Sequence, residues 1–331
     1  MDQITKIDLS TYKSDGNMLK ALHETGILLV KDPRIDMIKN TKFIELMEQY
    51  FNLPNDIKTK HINKHLHYQV GLTPEFIEKP RDHCEIIHRL PKEHKAQKPT
   101  NFDPKQRWFH RLTPVEENTE FPNITGENVI PTEIPEWSET IENMGDCFMN
   151  VYDSLLLLLA EELKVEKTYF QDLCYNGNHM IAPTFSDLSK YGKLNTILAG
   201  FHSDISFFTI HGKSKFSGLN IWTRNNEKIT VQVPDGYFLV QAGKQLQYVT
   251  GGYILAGFHE VIVNEKTIEQ YEKALKDNKP TVRVSSTFFG HINSDKYMDV
   301  LEQFRNEETL TLYPKVKEGF WLQNRLKKLM H

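Results

Sequence analysis

The chain has 331 residues and a formal net charge of −4, with 39% hydrophobic and 25% charged residues. This is the composition of an ordinary globular protein, without the excess of positive charge that favours nucleic acid or an anionic membrane surface as a partner. The lysines are interspersed with acidic residues, which indicates a solvated surface of mixed charge.

The cysteines and the apolar segments indicate where the protein works. Cys84, Cys147 and Cys174 are far apart and form no C-x-x-C pair, which argues against a disulfide scaffold and favours a reducing compartment. The first residues, "MDQITKIDLSTYKSDG", lack the apolar stretch of a secretory signal, and the run "LLLLLA" from Leu155 is too short to span a bilayer. We therefore expect a cytoplasmic monomer with neither a membrane nor a nucleic-acid partner.

The N-terminal part predicts a few regular elements followed by a long irregular stretch. "ITKIDLS" alternates like a short strand, and "GNMLKALHETGILLVKDP" reads as a helix followed by a buried strand over 27–30. "IDMIKNTKFIELMEQYFNLP" has helical spacing and ends before Pro54. From about Lys79 to Pro135 prolines interrupt every pattern, which is typical of a segment that wraps a surface or covers a site.

The strongest helix signal is "WSETIENMGDCFMNVYDSLLLLLAEELKV", from Trp137. It contains no proline and carries apolar residues on most faces toward its end. Since a helix that is apolar all round is buried, we predict a central spine helix against which a sheet packs.

From about Tyr175 to Ile292 the chain predicts mostly short strands. Gly, Asn or Asp residues separate most of these segments: "TILAGFH", "ISFFTI", "GLNIWT", "ITVQV", "GYFLVQA", "LQYVT", "GFHEVIV" and "VRVSSTFF". One helix interrupts them, "NEKTIEQYEKALKDN", with Asn264 as its N-cap, and "EGFWLQNRLKKLMH" predicts a closing amphipathic helix. The fold class is therefore mainly β with flanking helices, in the form of a sandwich or jelly roll.

One predicted strand carries a pair of residues suited to a metal. His202 and Asp204 are two positions apart, so both side chains lie on one face of a strand. A carboxylate with an imidazole suits Fe(II), Mn(II) or Zn(II), and His259 on a later predicted strand offers a third ligand. Two histidines and one carboxylate leave three positions of an octahedral iron open, enough for a bidentate co-substrate and dioxygen.

A second pair, Arg283 and Ser285, has the same spacing in "VRVSSTFF". A guanidinium binds a carboxylate through two parallel hydrogen bonds, and a hydroxyl adds a third. This pair could hold the far carboxylate of a dicarboxylic acid whose 2-oxo acid end chelates the metal.

These motifs together resemble the isopenicillin-N-synthase-like branch of the iron(II)/2-oxoglutarate-dependent dioxygenases. "GYFLVQAGKQLQYVTGGYILAGFHEVIV" is similar to the strand, turn and H-R-V segment of that family, and "KIDLS", "ALHETGILLVKD" and "YFNLPNDIKTK" resemble its N-terminal part. The resemblance implies a double-stranded β-helix core (jelly-roll, cupin-like) with a C-terminal helix over 175–331. A helical and loop region, 1–174, would pack on this core within one structural unit.

The resemblance also implies an activity and its cofactors. His202, Asp204 and His259 would be the iron ligands, and Arg283 with Ser285 the R-x-S clamp for the co-substrate. The protein would be a non-haem iron(II) dioxygenase using Fe(II), 2-oxoglutarate and O2. It would couple oxidative decarboxylation of 2-oxoglutarate to hydroxylation, desaturation or cyclisation of a small-molecule substrate.

The sequence departs from the family pattern in the co-substrate region. The tyrosine that the family has in an N-x-Y-P segment is missing from "HMIAPTFSDL". The turn reads Gly251-Gly252, Glu260 follows the distal histidine where arginine is usual, and an inserted helix lengthens the path to the R-x-S pair. These differences leave the iron triad intact and leave open what replaces the tyrosine.

Residues that follow the H-x-D motif and the GLNI strand, together with two in an N-terminal loop, are candidate substrate contacts. The expected residues are Tyr68, Gln69, Phe207, Trp222 and Arg224, with Phe320 and Trp321 of the C-terminal helix as further candidates.

Other histidines have simpler interpretations. His65 and His67 read as a surface pair, since no carboxylate stands at a suitable spacing. His211 and Lys213 in "IHGKSK" read as a turn, because the G-x-x-x-x-G-K frame is absent.

Two other functions fit the same motifs. An iron oxidase of this fold that uses no 2-oxoglutarate would let Arg283 and Ser285 bind the carboxylate of the substrate, and R-x-S serves both uses. A non-catalytic metal- or ligand-binding jelly-roll sensor is the second alternative, although a binding module has no need of three open metal positions.

Overall fold

The computed structural model of the protein describes residues 4–99 and 102–329. The end of the predicted C-terminal helix, residues 330–331, lies outside this range. The α-helices of the described chain are α1 (Asn17–Thr25), α2 (Met37–Phe51), α3 (Asn55–Lys58), α4 (Cys84–Arg89), α5 (Trp137–Glu162), α6 (Tyr169–Cys174), α7 (Leu188–Tyr191), α8 (Lys244–Val249), α9 (Glu265–Lys276), α10 (Glu307–Leu312) and α11 (Glu318–Leu329). Its strands are β1 (Lys6–Asp8), β2 (Ile27–Lys31), β3 (Gly71–Thr73), β4 (Gln106–Arg111), β5 (Met180–Ile181), β6 (Thr184–Asp187), β7 (Ile197–Ser203), β8 (Phe208–His211), β9 (Leu219–Trp222), β10 (Lys228–Val231), β11 (Tyr237–Ala242), β12 (Phe258–Ile262), β13 (Val282–Val284), β14 (Thr287–Gly290), β15 (Tyr297–Met298) and β16 (Val316–Lys317).

The strands form two main sheets. The larger sheet has the order β1-β2-β11-β8-β14-β5-β4-β6-β13, with β3 paired to β4, and the smaller has the order β10-β9-β12-β7. All pairs in both sheets are antiparallel except β1 with β2. The prediction of a mainly β protein with a double-stranded β-helix core and flanking helices is confirmed.

The long helix α5 packs against the larger sheet, as its sequence predicts. The ring of Phe148 stacks on Phe238 of β11 and Phe288 of β14, with centroids 4.9 and 5.6 Å apart, and Tyr152 packs edge-on against Phe288. Burying these four rings stabilises the fold by several kcal/mol, at about 1.5–3 kcal/mol per large apolar side chain. The helix therefore fixes the back of the sheet whose other strands reach the site.

Strands from both sides of residue 174 share the larger sheet. β1, β2 and β4 come from the N-terminal part, and β2 pairs antiparallel with β11 along five residues. The N-terminal region thus adds strands to the core sheet besides packing on it. The division at residue 174 itself stays a prediction.

One predicted strand is a helix instead. "LQYVT" belongs to α8, because the backbone N–H groups of Gly243, Lys244 and Gln245 donate to the carbonyls of the loop that follows β7, at 2.9–3.1 Å. This approach leaves no room for a side chain at Gly243, where a Cβ would lie 1.9 Å from the Ser206 carbonyl oxygen. A segment of five mostly apolar residues fits the period of a strand or of a helix, so the tertiary contact decides its structure.

Two further differences concern β strands. Residues Gln106–Arg111 lie in the region predicted to be loops, yet they form β4, which pairs with β3, β5 and β6. "VRVSSTFF" was predicted as one strand and forms two, β13 and β14, interrupted at Ser285 and Ser286.

In the described part of the chain, no helix is both long and apolar enough to cross a membrane.

The start of α11 is fixed by a buried carboxyl group. Glu318 is fully buried, and its Oε1 accepts a 2.7 Å hydrogen bond from Gln245 of α8, whose Oε1 in turn accepts from the Ile292 N–H. Burial raises the pKa of Glu318 to about 8, against the opposing effect of hydrogen bonds from Ser294 and Gln245. The carboxyl is therefore protonated in the folded protein at neutral pH.

This raised pKa makes stability depend on pH. Above about pH 4.5 the unfolded chain releases the Glu318 proton while the folded chain keeps it up to about pH 8, so the free energy of unfolding falls with rising pH across this window. We expect this fall to reach up to a few kcal/mol, since one pKa unit corresponds to about 1.4 kcal/mol, and we expect it to be absent from the Glu318→Gln variant. Urea unfolding at pH 5, 6.5 and 8 measures the free energy of unfolding of both proteins. Glu272→Gln, at an exposed site on α9, is the control, and parallel pH profiles for wild type and Glu318→Gln would contradict the prediction.

Candidate active site

The three predicted metal ligands meet at one end of the smaller sheet. β7 and β12 run antiparallel with His202 opposite His259, and Asp204 follows directly after the end of β7. The Nε2 atom of His202 lies 3.5 Å from Asp204 Oδ1, and that of His259 lies 3.8 Å from Asp204 Oδ2. The pairing of two strands that are distant in sequence thus brings all three side chains together.

Hydrogen bonds orient these side chains. His202 Nδ1 lies 2.6 Å from the Gly200 carbonyl oxygen, which places the proton on Nδ1 and leaves Nε2 free to bind a metal. The Thr209 hydroxyl donates to Asp204 Oδ2 at 2.7 Å and pairs with the Ser206 hydroxyl at 2.8 Å. Such outer contacts hold a ligand in the geometry that a metal requires.

The charges of the triad suit a cation. Burial alone would raise the pKa of Asp204, but His259 and the hydrogen bond with His202 outweigh it and hold that pKa well below its usual range. Burial, followed by the neighbouring His202, lowers the pKa of His259 well below its usual value. The group at neutral pH is therefore a carboxylate with a neutral imidazole at 259.

The geometry fits one metal ion. Two ligand atoms bound to the same ion at about 2.1 Å can be at most about 4.2 Å apart, and the two histidine–carboxylate distances satisfy this limit. All three ligand atoms lie within 4.8 Å of one another, so the two histidine ligand atoms are at most about 0.6 Å beyond this limit. Two imidazoles and one carboxylate are the ligand set of non-haem iron(II) oxygenases, in which the remaining positions stay open.

The triad borders a first cavity, called here the inner cavity, which lies between the two sheets. Its polar lining includes the triad and a second group of residues, namely Arg107, Thr184, His211, Arg283, Ser285 and Thr287. Arg283 is 5% exposed, and burial lowers its pKa to about 10. In the described part of the chain its one hydrogen bond runs from Nε to the Ser217 carbonyl oxygen at 2.9 Å, and no carboxylate pairs with it. A buried cation without a counter-ion is costly, and an anionic ligand would remove that cost.

Ser285 lines the same cavity, but its hydroxyl already has partners. It accepts from the Thr184 N–H at 2.9 Å and from the Thr287 hydroxyl at 3.1 Å, and it pairs with the Thr184 hydroxyl at 2.9 Å. The segment that lacks the family's tyrosine contributes Ala182 and Thr184 to this wall. The Nε2 atom of His211, by contrast, is buried without a hydrogen-bond partner, and burial lowers the pKa of His211 to about 4.

The triad also borders a second cavity, called here the outer cavity. Residues 67–81 and the face of α11 that carries Leu322, Arg325 and Leu326 form much of its wall, and His202 and Asp204 form part of its floor. Tyr68 and Gln69 line it as the sequence predicts. Their contact with a substrate stays a prediction.

The other three candidate substrate residues lie elsewhere, which corrects that expectation. Phe207 is fully buried in the core against Phe170, because the loop after β7 turns its ring away from the site. Trp222 packs against Phe201 and donates from Nε1 to a carbonyl of the α4–β4 segment at 2.6 Å. Arg224 lies at the surface, where it donates to the His23 carbonyl oxygen at 3.1 Å.

The C-terminal helix reaches the outer cavity through residues other than those predicted. Phe320 is half exposed and packs on Phe121, and Trp321 packs on Tyr248. His211, read from the sequence as part of a turn, ends strand β8 and lines the inner cavity.

Sequence reasoning also missed several charged residues of the outer cavity, namely Glu78, Arg81, Asp103, Lys105, Arg107, Lys244 and Arg325. Most of them lie in loops or at helix ends, where no periodicity marks them. The available signal was Arg325 on the apolar face of an amphipathic helix, three residues from Leu322 and one from Leu326.

Comparison with known proteins agrees with this site. Residues 171–292 match the model of the 2OG-Fe(II) oxygenase superfamily, and this range includes all three triad residues and Arg283. A search of curated proteins found no match to the chain.

Solved structures show the same fold along nearly the whole chain. A full-length Neurospora crassa protein in complex with alpha-KG is 17% identical, with a TM-score of 0.75, and the alignment covers 98% of this chain and 96% of that one. JOX2 in complex with 2OG, Fe and JA is 18% identical, with a TM-score of 0.70 and coverage of 99% and 89%. The rice dioxygenase for auxin oxidation is 14% identical, with a TM-score of 0.65 and coverage of 98% and 96%.

The double-stranded β-helix and the His-Asp-His cluster define a non-haem metal oxygenase. Residues 171–292 carry the 2OG-Fe(II) oxygenase superfamily domain, and the protein is a dioxygenase whose cofactors are Fe(II), 2-oxoglutarate and O2. The predicted family is confirmed at the level of the superfamily, and its isopenicillin-N-synthase-like branch stays a prediction.

Proposed function

We propose that His202, Asp204 and His259 hold Fe(II) and that Arg283 holds the far carboxylate of 2-oxoglutarate in the inner cavity. The substrate is a small molecule bound in the outer cavity, on the other side of the triad. Bound iron, co-substrate and dioxygen supply the oxidising chemistry, by which the substrate is hydroxylated, desaturated or cyclised.

The observation that carries this proposal is that Arg283 lines the same cavity as the triad and has no carboxylate partner within the described part of the chain. 2-Oxoglutarate has two anionic ends, one that chelates a metal and one that needs a cation. A buried arginine binds a carboxylate through two charge-assisted hydrogen bonds, which are about twice as strong as neutral ones. The inner cavity thus offers a partner to each end.

The other residues of the inner cavity have positioning roles in this proposal. Thr209 fixes the Asp204 carboxylate through its 2.7 Å hydrogen bond. His211, neutral at pH 7 because of its lowered pKa, donates its free Nε2–H to the co-substrate in place of the missing tyrosine. Ser285 exchanges a hydrogen bond with Thr184 or Thr287 for one with the carboxylate, so its share of the binding energy is small.

The assay that tests this function follows oxygen and succinate together. Wild-type protein with Fe(II) is expected to form succinate from 2-oxoglutarate only when O2 is present, slowly alone and faster with a substrate. Oxygen uptake that does not require 2-oxoglutarate would favour the iron oxidase. Absence of both activities with every candidate substrate would favour the sensor.

We further propose that the enzyme works as a cytoplasmic monomer on a free small molecule rather than on nucleic acid or at a membrane. The three cysteines are unpaired, as expected in a reducing compartment. The net charge of −4 offers no general attraction for a polyanion.

A further inference from the structure

The outer cavity carries more positive than negative side chains. Three acidic residues line it, namely Glu78, Asp103 and Asp204. The six basic residues of its lining are Lys79, Arg81, Lys105, Arg107, Lys244 and Arg325. A net positive cavity concentrates anions and raises their rate of entry. Some of these cations are already neutralised by carboxylates within the protein.

All three carboxylates already have partners. Lys105 Nζ lies 3.0 Å from Glu78 Oε2 and also donates to Asp103, and Arg107 Nη2 lies 3.0 Å from the same Glu78 oxygen. The Asp204 carboxylate belongs to the triad. The acidic residues are therefore engaged by the metal site and by two of the cations.

Of the other four cations, Lys79 is exposed, and Arg81, Lys244 and Arg325 are partly buried without a carboxylate partner in the described part of the chain. Arg81 Nη2 and Arg325 Nε are buried with no hydrogen-bond partner. Lys244 Nζ donates to Gln247 Oε1 at 2.9 Å, and the Arg325 guanidinium lies 4.0 Å from the centre of the Trp321 ring. Neither an amide oxygen nor an indole ring neutralises a positive charge.

These three cations line the same cavity, and the charge of Arg81 acts on both of the others. Burial, followed by the charges of Arg325 and Arg81, lowers the pKa of Lys244 to about 8. Burial and then Arg81 lower the pKa of Arg325 to about 10. Like charges held together out of water destabilise the empty cavity, and a bound anion reverses this cost.

The rest of the outer cavity is mainly apolar. Leu322 and Leu326 project from the same face of α11 as Arg325, and Phe109, Ile205 and Phe289 also line the cavity. The Lys244 N–H donates to the Asp204 carbonyl oxygen at 2.9 Å, so the cation cluster begins next to a proposed metal ligand. A molecule with one anionic end and an apolar body matches this lining.

We propose that the substrate is a small organic anion whose charged group binds between Arg81, Lys244 and Arg325 and whose apolar body extends toward the metal. This inference rests on the proposed function, since it names the substrate class of that same site. A carboxylate and a phosphate monoester share the anionic chemistry that the cluster recognises, and the experiment separates them.

The test measures binding without turnover. Protein loaded with Fe(II) and 2-oxoglutarate under nitrogen is titrated calorimetrically with decanoate, phenylacetate and naphthylacetate. Each acid is compared with its own primary amide, and decyl and phenyl phosphate form a third arm. At least one anion is expected to bind tenfold or more tightly than its neutral amide, and the preferred arm identifies the anionic group.

Variants assign the binding to the cluster. Arg325→Gln and Arg81→Gln are each expected to weaken anion binding at least tenfold and to leave amide binding unchanged. Lys327→Gln, an exposed neighbour on α11 with the same change of charge, is expected to bind like wild type. Circular dichroism shows whether each variant is folded.

The proposal is wrong if no carboxylate binds more tightly than its own amide and neither phosphate ester binds more tightly than the amide with the most similar apolar body. It is equally wrong if both arginine variants keep the wild-type affinity for the anions. The absorption band of the Fe(II)–2-oxoglutarate complex is recorded in the same samples, and its absence from wild type would contradict the proposed function whatever the anion result.

Discussion

Asp204→Ala and His259→Ala are each expected to lose tightly bound Fe(II) and, with it, all turnover of 2-oxoglutarate. Each change removes one of three ligand atoms, and Asp204→Ala also removes the charge that offsets the cation. Loss of an outer hydrogen bond to a ligand costs about 10–100-fold in metal affinity, so loss of a ligand should cost more. Iron content after anaerobic reconstitution and dialysis measures the effect.

Two further variants make this experiment specific. Thr209→Val removes the 2.7 Å hydrogen bond to Asp204 Oδ2 but no ligand, so we expect an intermediate loss of about 10–100-fold. His65→Ala removes an exposed histidine, and it should bind iron like wild type. Retention of one equivalent of iron by both ligand variants would refute the triad.

The triad could be predicted because strand geometry alone relates its members. His202 and Asp204 are two positions apart at the end of one strand, and a later strand presents His259 to the same face. The observed register places His259 directly opposite His202. Besides this spacing, the prediction needed only the antiparallel pairing of β7 with β12, which a jelly-roll fold provides.

The structure of the "LQYVT" segment could not be predicted in the same way. The side chains of Leu246, Tyr248 and Val249 are all buried, so a strand and a short helix bury them equally well. The helix forms because Gly243 can approach the Ser206 carbonyl where any other residue would clash. That contact spans nearly forty residues, and no local pattern encodes it.

The substrate residues were predicted least well, for a related reason. The wall of the outer cavity comes from the segment 67–81, the start of α8 and one face of α11. The relative placement of these parts depends on buried contacts such as that of Glu318 with Gln245. The direction of Phe207, similarly, follows from the irregular backbone between β7 and β8, where the alternation of a strand does not hold.

Arg283→Leu is expected to lower kcat/KM for 2-oxoglutarate by about 100-fold or more. Removing one partner of a buried, hydrogen-bonded charge pair costs about 2–5 kcal/mol, and each 1.4 kcal/mol is tenfold. The protein should remain folded, because leucine replaces a buried cation that has no carboxylate partner within the described residues. Rates of 2-oxoglutarate-dependent succinate formation and iron content together measure the effect.

A co-substrate without the far carboxylate distinguishes the loss of the carboxylate contact from a general structural defect of the variant. 2-Oxopentanoate has the same chain length and the same metal-chelating end as 2-oxoglutarate, but it ends in a methyl group. Wild type should use it at least about 100-fold less efficiently, whereas Arg283→Leu should treat the two compounds nearly alike, because the lost interaction is the same one. Arg224→Gln, at the surface, should keep the wild-type preference.

The comparison of wild type and Arg283→Leu with both oxo acids also shows whether the R-x-S pair binds the co-substrate or the substrate. If Arg283 binds 2-oxoglutarate, the variant loses its preference between the two oxo acids and keeps its slow reaction with 2-oxopentanoate. If Arg283 instead bound the carboxylate of the substrate, the change to leucine would lower turnover with both oxo acids by the same factor. An equal loss with both would therefore overturn the co-substrate role, even if iron binding at His202, Asp204 and His259 were intact.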